Sequence, residues 1–236
     1  MTDAIERELK LVPESSDLLD RLASVDHLGP FAVRDRRREL QRNVFFDSHA
    51  RALRKARVGF RRRTVDGQQP ATWSIKGGSQ LVRGVTTRSE IELELDPDLA
   101  PALALGALRA AAQSRGAPAL ADAVGEALSR GGLPQARPFL ESVTDRTLID
   151  LVEPRRGWAV ELALDRVRLV GHRYAEIEVE AELKHGDEAA LQAAREAIAN
   201  VGTVHASHGS KLSRAVDHLE HCDCPADAGP RGSTAR

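Results

Sequence analysis

The feature that most constrains this chain is a row of glutamates near residue 180. Every second residue is acidic there, and Glu176, Glu178, Glu180 and Glu182 alternate with Ile177, Val179, Ala181 and Leu183. A period of two is the geometry of a β-strand, so one face of this strand is apolar and the other is a row of carboxylates. Like charges on one strand face repel each other, and such a face needs counter-charges or a metal ion. The fold must therefore bring cations to the polar face of this strand.

The same alternation recurs along the chain, and the polar faces are sorted by sign. The predicted strand 4–12 carries Glu6, Glu8 and Lys10, the strand 60–65 carries Arg61 and Arg63, and the strand 86–95 carries Arg88, Glu90, Glu92 and Glu94. By parity, Arg62 faces the opposite side from Arg61 and Arg63. Further strands are predicted at 42–47, 71–76, 139–143, 147–152, 158–163 and 174–183, and Gly77–Gly78 is interpreted as a turn.

Helical patterns separate and follow these strands. Ser15 or Ser16 can cap a short helix that ends near Leu22, an Ala- and Leu-rich segment from 98 to 130 predicts two or three helices, and residues 188–201 have apolar residues at helical spacing. Strands, helices, strands and a final helix indicate one α+β domain with a largely antiparallel sheet. Its two halves could form a closed barrel joined through the Ala-rich segment. We assign this domain to residues 1–220 and predict a disordered C-terminal tail over 221–236.

Charge and composition limit the partners of the chain. The 34 Lys and Arg residues nearly balance the 35 Asp and Glu residues, so no single-signed field directs the chain to nucleic acid or to a membrane. The N-terminus is charged, and no apolar stretch reaches the roughly 20 residues of a spanning helix. We therefore expect a cytoplasmic protein with neither nucleic acid nor a membrane as partner. The basic residues Arg34, Arg36, Arg37 and Arg38 are interpreted as a solvated edge near a cavity mouth, or as a gate for an anion.

Two cysteines cannot supply a disulfide framework, but they lie near two histidines. His218, His221, Cys222 and Cys224 could each bind Zn²⁺, yet their spacing fits no standard zinc module. We interpret this cluster as adventitious rather than structural.

If the sheet closes into a barrel, the charged strand faces can form a binding site. If strand faces of one parity point into a shared lumen, carboxylates and guanidinium groups meet there and can hold a polyanion with a divalent metal. The alternative is a solvated sheet whose cross-strand pairs are each worth less than about 1 kcal/mol.

The order of the motifs resembles the CYTH family, also called triphosphate tunnel metalloenzymes. The resemblance begins with Glu6-Arg7-Glu8-Leu9-Lys10 and continues through Val44-Phe45-Phe46-Asp47, Leu53-Arg54, Arg61-Arg62-Arg63 and Trp73-Ser74-Ile75-Lys76. It extends to Arg88-Ser89-Glu90-Ile91-Glu92, Val143-Thr144-Asp145-Arg146, Val160 to Asp165, Glu176-Ile177-Glu178 and Ser210-Lys211.

This resemblance implies an eight-stranded antiparallel tunnel with flanking helices that binds a triphosphate or polyphosphate with Mg²⁺ or Mn²⁺. It implies phosphate contacts from Lys10, Arg61, Arg63, Lys76, Arg88, Arg146 and Lys211. It implies that metal and water are held by Glu6, Glu8, Glu90, Glu92, Asp165, Glu176 and Glu178. The catalytic set would be Glu6, Glu8, Lys10, Arg61, Arg63 and Lys76. Two points stay open: Glu180 could replace Glu176 as the partner of Glu178, and Asp145 stands where many members have a second cation, which could weaken one phosphate contact.

Three functions are compatible with this interpretation. Hydrolysis of inorganic triphosphate is favoured because aromatic residues, which usually stack on organic groups, are only 3% of the chain. An adenylate cyclase and a non-catalytic polyphosphate-binding module, once joined to a helical domain, remain alternatives. A homodimer is also left open.

Overall fold

The computed structural model describes residues 5–66, 69–131, 136–207 and 209–221. These residues form ten strands: β1 (Ile5–Pro13), β2 (His27–Leu28), β3 (Phe31–Asp47), β4 (Gly59–Val65), β5 (Ala71–Val82), β6 (Val85–Leu95), β7 (Arg137–Glu153), β8 (Trp158–Leu169), β9 (Ala175–His185) and β10 (Val204–Ala206). They also form six helices: α1 (Asp17–Ser24), α2 (Ala52–Lys55), α3 (Pro101–Ser114), α4 (Pro118–Gly131), α5 (Glu188–Val201) and α6 (Lys211–His221).

Eight of the strands form a closed antiparallel barrel. The order around it is β1-β6-β5-β4-β3-β7-β8-β9, and β9 pairs with β1 to close the sheet. The short strands β2 and β10 add to β3 and β1. The predicted eight-stranded barrel with flanking helices is therefore confirmed.

The apolar strand faces point outward and are covered by helices. On one side Phe60 and Trp73 pack beneath α2, α3 and α4, and both side chains are buried. On the other side Leu162 and Val179 pack beneath α1 and α5. Full burial of each such side chain stabilises the fold by roughly 1.5–3 kcal/mol. Because the apolar parity lies outside, the polar parity of every barrel strand is left to the interior.

Two strands are longer than their sequence patterns predict. The patterns at 139–143 and 147–152 belong to the single strand β7, and β3 begins at Phe31 rather than at residue 42. These two strands pair over nearly their full lengths, from Ala32↔Val152 to Asp47↔Arg137. The Arg-rich first half of β3 has no alternation of apolar residues because both of its faces are charged.

The interpretation of Gly77–Gly78 as a turn is wrong. Strand β5 continues to Val82, and a β-bulge interrupts its pairing with β6 between Gly77 and Gln80. Gly78 has φ +67°, which a glycine adopts at a bulge without steric cost. The chain turns instead at Arg83–Gly84, where both φ angles are positive.

Among the helices, α5 has the predicted bounds, and the Ala-rich segment forms two helices, α3 and α4. At α1 the Ser15 hydroxyl accepts a hydrogen bond from the Asp17 amide (3.2 Å). Helix α6 and strand β10 were not predicted, and α6 reaches His221. Residues 222–236, which include Cys222, Cys224 and most of the predicted tail, lie outside the described residues. In the described ranges, no helix has both the length and the apolar character needed to cross a membrane.

Candidate active site

The barrel interior is a cavity of about 790 Å³ lined by charged side chains. Twelve of the predicted site residues line it: Glu6, Glu8, Lys10, Arg61, Arg63, Lys76, Arg88, Glu90, Glu92, Arg146, Glu176 and Lys211. The other two, Asp165 and Glu178, are fully buried in the barrel wall and are reached by Lys211. The structure therefore brings together all the residues that the sequence singles out, from seven barrel strands and α6.

The first cluster of charges is built by β1, β5 and β6. Arg88 Nε lies 2.6 Å from Glu6 Oε2, and Arg88 Nη2 lies 2.9 Å from Glu8 Oε1. Lys76 Nζ lies 2.6 Å from Glu90 Oε2 and 3.7 Å from Glu6 Oε2. Cross-strand register explains these contacts, since Glu6 is opposite Arg88 and Lys76 is opposite Glu90. Cations and carboxylates thus alternate across this wall.

The second cluster is built by β7, β8, β9 and α6. Arg146 makes a bidentate ion pair with Asp165, with N–O distances of 2.7 and 2.6 Å, and its Nη2 is 2.8 Å from Glu180 Oε2. Lys211 Nζ is 2.8 Å from Asp165 and 2.5 Å from Glu178. Although burial acts to raise the pKa of Asp165, the charges of Arg146 and Lys211 lower it. Asp165 is therefore ionised at neutral pH.

Arg61 and Arg63 lie on β4 and differ in their partners. Arg61 Nη2 is 3.3 Å from Glu92 Oε1 and 3.9 Å from Glu90 Oε1. Arg63 Nε instead donates a hydrogen bond to the neutral Asn43 Oδ1 (3.1 Å), and Arg63 has no carboxylate partner in the described part of the chain. Its burial, together with the neighbouring cations Arg61 and Arg146, lowers the pKa of Arg63. Arg63 is thus a half-buried cation that has no ion pair among the described residues.

The carboxylates of the first cluster differ in protonation. Burial raises the pKa of Glu8 to about 7, against the opposing effect of Lys10 and Arg88. Burial also acts to raise the pKa of Glu92, but a hydrogen bond with Glu90 and the charge of Arg61 outweigh it and lower this pKa to about 2. One carboxylate therefore titrates near neutral pH beside others that stay charged.

The donor chemistry of the cavity fits a hard divalent cation. Glu8 Oε1, Glu90 Oε1 and Glu178 Oε2 are buried oxygens without a hydrogen bond of regular geometry, although cations are near. Oxygen donors of this kind suit Mg²⁺ or Mn²⁺. Within the described ranges, no group of three or more potential ligands is already assembled. Lysine and arginine side chains form ion pairs with the carboxylates. An anion that attracts these cations would free the carboxylate oxygens to bind a metal ion.

Two charged residues that contact the predicted site residues, Arg214 and Glu180, were not in the predicted set. Arg214 on α6 contacts Glu176 (2.8 Å) and Glu178 (2.9 Å), and an Arg three residues after Lys211 on a helix could have indicated this. Glu180, left open as an alternative to Glu176, contacts Lys10, Arg146 and Lys211. Both glutamates thus face the cavity, and each has its own cation.

Asp145 and Arg62 lie on the outer surface of the barrel. Asp145 makes a bidentate ion pair with Arg38, with distances of 2.8 and 2.6 Å. The Asp145 carboxylate therefore lies on the opposite side of β7 from Arg146, which lines the cavity, and its effect on a phosphate contact stays a prediction. Arg62 lies over the Trp73 ring, 5.6 Å from its centroid, which confirms its predicted outward direction.

The two ends of the cavity are different. At one end, Ala215 and Val216 of α6 pack on Leu140 and Leu169 and cover the lumen. At the other, Arg37 forms ion pairs with Asp150 (3.4 Å) and with Glu161. The Arg-rich segment that was interpreted as an edge or a gate thus supplies one residue, Arg37, to the open mouth.

Comparison with known proteins identifies this architecture. The family model of the CYTH domain matches residues 4–216. The chain belongs to the CYTH family. No curated protein sequence matches it significantly.

Several solved structures share the CYTH fold with this chain. HpAC1 from Hippeastrum, named as an adenylyl cyclase and described as having a dominant triphosphatase activity, is 23% identical, with a TM-score of 0.59 over 90% of this chain and 95% of its own. A Bacillus halodurans protein named as an adenylate cyclase is 18% identical, with a TM-score of 0.52 over 89% and 98% of the two chains. PH1819 from Pyrococcus horikoshii OT3 is 17% identical, with a TM-score of 0.53 over 90% and 98%. At these identities the likenesses show the fold.

Proposed function

We propose that this CYTH protein hydrolyses inorganic triphosphate, or a related triphosphate compound, to diphosphate and phosphate with Mg²⁺ or Mn²⁺. The observation that carries the proposal is Arg63, a half-buried guanidinium that faces the cavity and has no carboxylate ion-pair partner among the described residues. An arginine remains protonated, so its charge needs an anion in the cavity. A phosphate group provides both that charge and a pair of oxygens that the planar guanidinium can bind through two parallel hydrogen bonds.

Binding of the substrate would exchange partners inside the cavity. Lys76 and Arg61 now hold Glu90 and Glu92, and Arg88 holds Glu6. Phosphate oxygens would compete for these cations and leave carboxylates available as metal ligands. A bound divalent ion supplies charge neutralisation at the phosphates and acidifies a water. Substrate and metal would therefore bind together.

The residues of the chain would then orient the phosphates and handle the proton. Arg61, Arg63, Lys76 and Arg146 lie on strands around the lumen and would stabilise charge on the departing diphosphate. In the metal-free cavity the pKa of Glu8 is raised to about 7, and we assign Glu8 the role of general base. It would accept the proton of the attacking water.

Two of the aromatic rings that line the cavity, Phe139 and Tyr174, support an inorganic substrate. Phe139 lies beneath the guanidinium of Arg51, whose Cζ is 4.2 Å from the ring centroid. Tyr174 packs on His218 with a centroid separation of 4.8 Å. Both rings are at the end covered by α6 and already have partners, so they do not offer stacking faces to an organic group.

The test is a substrate panel with purified protein and either Mg²⁺ or Mn²⁺. We expect phosphate release from inorganic triphosphate at the highest kcat/KM, and loss of turnover in Glu8→Gln. Cyclic AMP from ATP would assign the cyclase alternative. Tight polyphosphate binding without turnover, unchanged in Glu8→Gln, would assign a binding module and refute the hydrolase.

A further inference from the structure

A second cavity of about 620 Å³ lies at the open rim of the barrel, on its outer side. Arg7, Leu183 and His185 line it, and three further residues, Ile5, Arg115 and Lys184, line both this cavity and the lumen. The two spaces therefore meet at the mouth. We call the outer space the rim groove.

The rim groove is positively charged. Arg7, Arg115 and Lys184 line it together with His185, and no carboxylate of the described residues does. Arg7 points to the outer face of β1, is exposed, and has no ion pair within the described ranges. Arg115 is held at the mouth by a hydrogen bond from its Nη1 to the carbonyl oxygen of Glu92 (3.2 Å).

Lys184 is anchored at the boundary between the two spaces. Its Nζ is 2.8 Å from Glu182 and 3.2 Å from Glu161, both of which line the lumen. The groove thus extends from the mouth of the tunnel to the surface, and the charged side chains along it, Arg7, Arg115 and Lys184, are cations. Isolated surface arginines are ordinarily solvated, but a cationic path that starts at a polyanion site concentrates an extended anion along it.

We propose that the rim groove binds the trailing phosphates of a linear polyphosphate whose terminal phosphates occupy the tunnel. This inference rests on the proposed function of the tunnel and extends its substrate class beyond triphosphate. The groove acts as a second attachment point on the same chain, so it raises affinity for long chains and leaves inorganic triphosphate unaffected. Because the contacts are exposed, their contribution weakens as salt is added.

The test compares Arg7→Ser and the double variant Arg7→Ser/Arg115→Ser with Arg168→Ser. Arg168 is an exposed arginine on the outer side of β8 and does not line either cavity. Arg168→Ser therefore removes one positive charge away from both cavities and is the matched control. KM is measured for inorganic triphosphate and for long-chain polyphosphate at low and high salt. Removal of one exposed contact should raise KM for the long chain about two- to fivefold, in line with exposed charge pairs.

We expect Arg7→Ser to raise KM for the long chain only, the double variant to raise it further, and Arg168→Ser to match wild type. Equal long-chain KM values in wild type and the double variant, with normal triphosphate turnover, overturn the rim groove and leave the proposed function intact. If nothing is hydrolysed, long-chain binding by calorimetry replaces KM. A loss of affinity confined to the groove variants then supports the groove although the hydrolase fails.

Discussion

Substitution of Asn43 by Asp tests whether the missing anion at Arg63 matters. Asn43 and Arg63 are directly opposite each other on β3 and β4, and Asn43 is buried and faces the cavity. The change keeps the shape of the side chain and gives Arg63 a carboxylate partner at about the present 3.1 Å. The new ion pair would compete with substrate phosphate for the same guanidinium.

The size of the effect follows from this distance. Two unit charges at 3.1 Å in an effective dielectric of about 20 attract by roughly 5 kcal/mol. Desolvation of the new carboxylate offsets much of this, which leaves a net effect of about 1–3 kcal/mol. Each 1.4 kcal/mol is about tenfold, so KM for triphosphate should rise by roughly 5- to 150-fold. The same pairing should stabilise the substrate-free protein and raise its Tm.

Steady-state phosphate release and thermal unfolding without substrate are the two measurements. Gln41→Glu is the matched control, because Gln41 is also buried and faces the cavity on β3, but it donates a hydrogen bond to Glu39 (2.7 Å) rather than to Arg63. We expect a raised Tm with a raised KM in Asn43→Asp alone. A raised Tm with unchanged KM would show that Arg63 does not bind substrate and would refute the reasoning.

Three further predictions concern pH, the buried ion pairs and the outer core. Since burial raises the pKa of Glu8 from 4.5 to about 7, the metal-free fold keeps a proton that unfolding releases, so its free energy of unfolding should fall as pH rises across this interval. Mg²⁺ binding should strengthen over the same interval in calorimetry, and Glu8→Gln should show neither dependence. Lys211→Met leaves Asp165 and Glu178 without one cation and should lower the free energy of unfolding in urea by about 3–5 kcal/mol, whereas Lys211→Arg should recover most of it. Trp73→Ala removes a fully buried ring from the outer core and should cost about 3–5 kcal/mol in the same assay, and a cost below 1 kcal/mol would contradict the packing described above.

Strand parity is the reason that much of the site could be predicted from the sequence. Alternation assigns Glu6 and Glu8 to the face opposite Leu9, and the same rule separates Arg61 and Arg63 from Arg62. This information is local, and it does not depend on which strands become neighbours. The order of the family motifs then indicated that the strands close into an eight-stranded barrel.

What parity could not predict depends on contacts between distant segments. The pairing of Arg146 with Asp165 follows from the register of β7 and β8, and the pairing of Asp165 with Lys211 follows from a helix, α6, that the local pattern did not reveal. The first half of β3 was missed because Arg34 to Arg38 show no apolar period, and pairing with β7 makes it a strand. The pair Gly77–Gly78 is typical of a turn, but the β5–β6 pairing continues beyond it and keeps the segment in the strand.

The inverted distribution of apolar and charged faces limits how the length of these strands can change. Where helices cover the barrel, its strands contribute one residue to the lumen and the next to the helix-covered exterior. Insertion of a single residue within a strand would turn the following charges outward beneath the helices and the following apolar residues into the lumen. Length changes are tolerated only in pairs, at hairpin ends, or where a bulge absorbs the extra residue, as between Gly77 and Gln80. Substitution inside the lumen has no such restriction, so the charge pattern can diversify while the strand lengths stay constant.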